Sequence, residues 1–153
     1  MTTSEPRVIT VLLVEDDPGD VLMTREAFDE HLHNRLDVVT DGAEALAFLR
    51  RQPPYEDVAR PDLVLLDLNL PRRDGREVLR EVKDDPDLRH IPVIVLTTSQ
   101  AEEDVLRSYQ LHANAYVTKP VDFDGFIEAI KQIDHFFVSV VQLPGGRDPN
   151  RGT

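Results

Sequence analysis

The chain has 153 residues, 41% apolar and 30% charged, which suits one ordinary globular domain with a real core. Its formal net charge of −12 and the lack of a Lys/Arg-rich stripe argue against nucleic-acid binding through a basic face. No cysteine is present, no apolar run is long enough to span a membrane, and the N-terminus carries no apolar signal core, so the expectation is a cytoplasmic protein that engages no membrane and has neither disulfides nor a thiolate zinc site.

Residues 1–7 read as a polar tail. Val8–Val14 is a nearly continuous apolar, β-branched run, the pattern of a strand buried on both faces. Asp17–Leu32 follows with helical spacing and places Met23, Ala27 and Phe28 on one face. Leu36–Thr40 is a weaker strand candidate. Ala43–Arg50 groups Ala45, Leu46 and Leu49 as a helix, and the polar, proline-bearing stretch Gln52–Pro61 reads as a loop. Leu63–Leu66 and Val93–Leu96 repeat the texture of the first strand, with a helix over Gly75–Lys83 between them (Val78, Leu79, Val82). Ala101–His112 is helical through Val105, Leu106 and Tyr109. Ala115–Thr118 is a short strand, and a last helix runs from Asp122 with Phe126, Ile127, Ile130 and Ile133 inward, Asp122 being a candidate cap. Residues 144–153 read as a frayed tail. The expected organisation is a tail over 1–7, one globular unit over 8–134, and a C-terminal extension and tail over 135–153.

Five β-α alternations imply an α/β fold: a doubly wound five-stranded parallel sheet with helices on both faces. In such a sheet, function sits beyond the carboxyl ends of the strands. There the sequence puts Glu15-Asp16-Asp17, Asp67, Thr97-Thr98-Ser99 and Lys119-Pro120. Each could be mere strand-ending chemistry. Together, Glu15, Asp16 and Asp67 make a carboxylate cluster that calls for a hard divalent cation such as Mg²⁺. A nucleophilic carboxylate, a cation, an ammonium and a hydroxyl are the parts that phosphoryl transfer needs. The five histidines (His31, His33, His90, His112, His135) show no convincing ligand spacing and read as surface residues.

Four segments carry a family resemblance: Val-Leu-Leu-Val-Glu-Asp-Asp (Val11–Asp17), Leu-Leu-Asp-Leu-Asn-Leu-Pro-Arg-Arg-Asp-Gly (Leu65–Gly75), Ile-Pro-Val-Ile-Val-Leu-Thr-Thr (Ile91–Thr98) and Ala-Tyr-Val-Thr-Lys-Pro (Ala115–Pro120). In order, they make the chain resemble response-regulator receiver domains of two-component signalling, over about Val8–Gln132. The resemblance implies a flavodoxin-like (βα)5 fold. It implies that Asp67 accepts a phosphoryl group from a sensor histidine kinase and that Glu15, Asp16, Asp67 and the backbone carbonyl of Asn69 hold Mg²⁺. It implies that Thr97 and Lys119 bind the phosphoryl group, and that Tyr116 turns inward as Thr97 moves. Asn69 and Ser99 are expected to set the lifetime of the acyl phosphate. The implied protein is a switch that promotes its own phosphorylation and dephosphorylation rather than an enzyme in the ordinary sense.

Two other classes compete. A Mg²⁺-dependent aspartyl phosphatase of the haloacid dehalogenase type wants an Asp two residues after the nucleophile, where Asn69 stands. A phosphorylation-independent interaction module would not need the complete acidic site. Towards the C-terminus, Ile133, Phe136, Phe137, Val138, Val140, Val141 and Leu143 exceed what one helix face can bury. They either fold back on the domain or form a homodimer face, and the dimer is favoured, with Phe136, Phe137, Val140 and Val141 as candidates. This segment and the loop Arg51–Pro61 also resemble stand-alone regulators that partner bacterial phytochrome kinases. A kinase would dock on the first helix, near Val21, Leu22 and Arg25.

Overall fold

The computed structural model describes residues 8–29, 34–68, 70, 74–98, 100–108, 113–119 and 123–130. In chain order the elements are β1 (Ile9–Val14), α1 (Pro18–Asp29), β2 (Asn34–Val39), α2 (Gly42–Leu49), β3 (Leu63–Asp67), α3 (Gly75–Asp84), β4 (Val93–Thr97), α4 (Gln100–Ser108), β5 (Ala115–Thr118) and α5 (Phe123–Ile130). All strand pairings are parallel, in the order β2-β1-β3-β4-β5. This is the doubly wound sheet that the alternation implies, in the flavodoxin-like arrangement that the family resemblance implies.

The three central strands are the three most apolar runs. Every residue of β3 and β4 is buried because helices cover both faces, and the polar residues Asp67 and Thr97 stand only at the strand ends. Alternation within β1 divides the core. Leu12 and Val14 face α2, α3 and α4, packing with Leu46, Leu49, Val78, Leu79, Val82 and Leu106. Val11 and Leu13 face α1 and α5, packing with Phe28, Leu65, Ile94 and Ile127.

Local signals set the helix ends. Asp41 caps α2 by accepting from Glu44 N at 2.8 Å, while Glu44 reaches back to the Thr40 N–H. Asp74 caps α3 by accepting from the Arg76 and Glu77 N–H groups. At the other end of α2, Arg51 takes a left-handed φ of 56°. Its N–H donates to Phe48 O and the Gln52 N–H donates to Ala47 O, which together form a Schellman stop. The stretch Gln52–Pro61 contains no helix or strand, as expected, yet Tyr55 and Val58 pack against the larger core cluster.

The expected inward face of α1 needs correction. Met23 is 46% exposed and Leu22 57% exposed, while Thr24 and Phe28 are buried, with Val21 and Ala27 packed beside them. Thr24 can turn inward because its hydroxyl donates to Asp20 O at 2.9 Å, so its polar group needs no water. Val21, expected to serve docking, is therefore partly committed to the core. Asp122 and everything beyond Ile130 lie outside the described residues.

Candidate functional site

Parallel pairing aligns the carboxyl ends of the strands. Asp67 ends β3 in register with Leu96, so Thr97 lies one residue further along β4. Thr97 pairs with Thr118, and its carbonyl accepts from the Lys119 N–H at 2.8 Å. Glu15 follows β1 directly, its N–H bound to Val39 O. Glu15, Asp67 and Thr97 are all at most 3% exposed, whereas Asp16 is exposed. The helix after β3 comes so close that a Cβ on Gly75 would meet Leu68 Cα at 2.6 Å and Asp67 O closer still. Only glycine allows α3 to start there, with its N–H on Leu68 O.

The Lys119 ammonium sits among carboxylates: 2.8 Å from Glu15 Oε1, 3.1 Å from Asp67 Oδ2 and 3.2 Å from Asp20 Oδ2. Burial pushes the Glu15 carboxyl up to about 7; nearby Asp67 adds to this and the Lys119 ammonium offsets part of it. Burial alone would lower Lys119, but Glu15 and Asp67 outweigh it and raise its pKa. The ammonium therefore stays charged across the neutral range.

A single lysine does not satisfy this much acid. One carboxylate oxygen from each of Glu15, Asp16 and Asp67 lies within 4.8 Å of the others. Glu15 Oε2 accepts from the Asp17 N–H, while the buried Oε1 accepts no well-directed hydrogen bond despite the ammonium at 2.8 Å. An all-oxygen, anionic donor set with an under-satisfied buried oxygen fits a hard divalent cation.

The structure thus brings Glu15, Asp16, Asp67, Thr97 and Lys119 to one edge. Tyr116 is half-buried on β5 against the larger core cluster, with the Arg107 guanidinium 5.9 Å from its ring centroid. Asn69, Ser99, Phe136, Phe137, Val140 and Val141 lie outside the described residues. Sequence reasoning missed Asp20. It ends no strand, and an acid in the first turn of a helix has a sufficient local explanation in the helix dipole.

Residues 11–131 match the family model described as response regulator receiver domain. The chain belongs to that family. It is 46% identical over 143 residues to the response regulator Rcp1 of Synechocystis sp. (strain ATCC 27184 / PCC 6803 / Kazusa), covering 93% of this chain and 96% of that protein. The Mn(2+)-bound form of Rcp1 superposes with a TM-score of 0.70 at 45% identity, over 89% of this chain and 99% of that one. The phosphorylated cyanobacterial phytochrome response regulator RcpA superposes with a TM-score of 0.72 at 44% identity, over 90% and 99%.

Proposed function

We propose that this receiver is a phosphorylation switch in which Asp67 is the phosphoacceptor. The observation that carries the proposal is a buried carboxylate at the end of the central strand, held 3.1 Å from a half-shielded ammonium and beside two further carboxylates. An Asp67 oxygen attacks the phosphorus of a phosphohistidine on a sensor kinase. The Asp67 O–P bond forms, the P–N bond breaks, and the imidazole leaves with its nitrogen lone pair, to be protonated. Lys119 donates to one transferred oxygen and the Thr97 hydroxyl to another, neutralising the charge carried by those oxygens. A divalent cation, Mg²⁺ in the cell, held by Glu15, Asp16 and Asp67 with the carbonyl of Asn69, supplies further neutralisation of those oxygens when bound. The same groups favour hydrolysis once water reaches the phosphorus, so phosphorylation and its loss are both promoted by the receiver itself, with Asn69 and Ser99 governing that access.

The new charge then moves Thr97 and Tyr116 and alters the surface around α4 and β5. Similarity to RcpA, a cyanobacterial phytochrome response regulator, supports a phytochrome histidine kinase as donor, and the surplus of apolar residues beyond residue 134 supports a homodimer built on that segment. The test is to incubate the protein with acetyl phosphate or beryllofluoride plus Mg²⁺ and weigh it intact. Wild type should acquire the adduct and Asp67→Asn should not. An unmodified wild type, or equal modification of the variant, would remove Asp67 from its role.

A further inference from the structure

We propose that Asp20, on α1, is a positioning residue for Lys119; this rests on the reading of Asp67 as phosphoacceptor and deepens it. Lysine carries its charge on a flexible four-carbon stem, and its ammonium has three protons to place. Here three carboxylates lie within 3.2 Å of the ammonium. Glu15 and Asp67 lie on the strand side. Asp20 approaches from the helix, 99 residues away in sequence, and its Oδ2 accepts a hydrogen bond from Lys119 Nζ at 3.2 Å. Lys119 is 14% exposed and Asp20 30% exposed, so this is a half-shielded tertiary contact rather than a solvated surface pair.

Asp20 is itself fixed. Its N–H lies 3.3 Å from Asp17 Oδ1, which also accepts from the Gly19 N–H, and its carbonyl accepts from the Thr24 hydroxyl. The first turn of α1 is thereby held, and with it the carboxylate. Asp20 also stands outside the group of Glu15, Asp16 and Asp67 whose oxygens converge on the cation position. Its work is accordingly on the lysine and not on the metal. When Asp67 becomes an acyl phosphate, the ammonium turns the N–H that faced Asp67 towards a phosphoryl oxygen and keeps its proton. Asp20 keeps its hydrogen bond and Glu15 its ion pair. Asp20 thus restrains the ammonium so that it meets the transferred oxygens without a search through rotamers.

The experiment measures the rate of phosphorylation by acetyl phosphate at saturating Mg²⁺, together with Mg²⁺ affinity. It compares wild type, Asp20→Ala, Asp20→Asn, Lys119→Ala and the double variant Asp20→Ala/Lys119→Ala. Asp20→Ala should slow phosphorylation about tenfold, the scale of a loosened catalytic group. Asp20→Asn keeps an acceptor oxygen and should recover to within about threefold of wild type, and it serves as the folded control if the alanine variant is unstable. Mg²⁺ affinity should be unchanged. In the Lys119→Ala background, removing Asp20 should have no further effect, which a merely structural role would not produce. A wild-type rate in Asp20→Ala, an equal loss with and without Lys119, or a loss of Mg²⁺ affinity would each overturn the assignment while leaving Asp67 in place. A wild type that accepts no phosphoryl group would remove both.

Discussion

Glu15 is a carboxyl whose ionisation the fold opposes. Its pKa of about 7 in the folded chain stands above its ordinary value of 4.5. A raised acid binds its proton more tightly when folded, so the associated stability is full below pH 4.5 and is lost as pH rises through about 7. In metal-free buffer, stability should therefore fall by about 1 kcal/mol between pH 6 and pH 8. A cation needs the carboxylate, so Mg²⁺ affinity should move the opposite way and rise over the same interval. Chemical denaturation and calorimetric titration at pH 6, 7 and 8 check the two slopes, and Glu15→Gln should flatten both. Parallel pH profiles for wild type and Glu15→Gln would show that the carboxyl ionises freely in the fold.

At the scale of elements, α2 ends on a residue ill suited to its backbone. Arg51 holds a left-handed φ, where an L side chain crowds the following carbonyl, while the hydrogen bonds of the Schellman stop keep it there. Arg51→Gly should raise stability by about 0.5–1 kcal/mol, the steric gain being partly offset by the greater freedom of glycine in the unfolded chain. Urea denaturation of the two proteins decides it, and an unchanged or lower midpoint would show that the Arg51 side chain earns its place through contacts. What was legible at this scale follows from the period of each pattern. The buried strands declare themselves through unbroken apolar runs, and Asp67, Thr97 and Lys119 could be found because they punctuate those runs. The face of α1 was misjudged because Met23 is apolar and Thr24 polar, while a hydroxyl bonded to its own helix reverses their preference. Asp20 was invisible for a related reason: its partner Lys119 is brought to it only by the tertiary fold.

For the whole molecule, the question is where the apolar residues after α5 find cover. Among the described residues the sheet has no free face, since α2, α3 and α4 close one side and α1 and α5 the other. The large apolar side chains left exposed there are Val8, Leu22 and Met23, too few to bury Phe136, Phe137, Val140 and Val141. A chain with net charge −12 resists non-specific association, so a second copy would cover them only with a matched apolar surface rather than a merely sticky one. The expected state is a homodimer joined through the segment beyond residue 134, by self-complementary contact of the kind a two-fold axis demands. Sedimentation equilibrium at micromolar protein should give twice the chain mass of 17.4 kDa, with and without phosphorylation. Phe136→Glu combined with Val140→Glu should give the monomer, while acetyl phosphate still modifies Asp67 at the wild-type rate. A wild type that sediments as a monomer throughout would mean that the segment folds back onto its own domain, with Leu22 and Met23 the first surface to examine by hydrogen exchange.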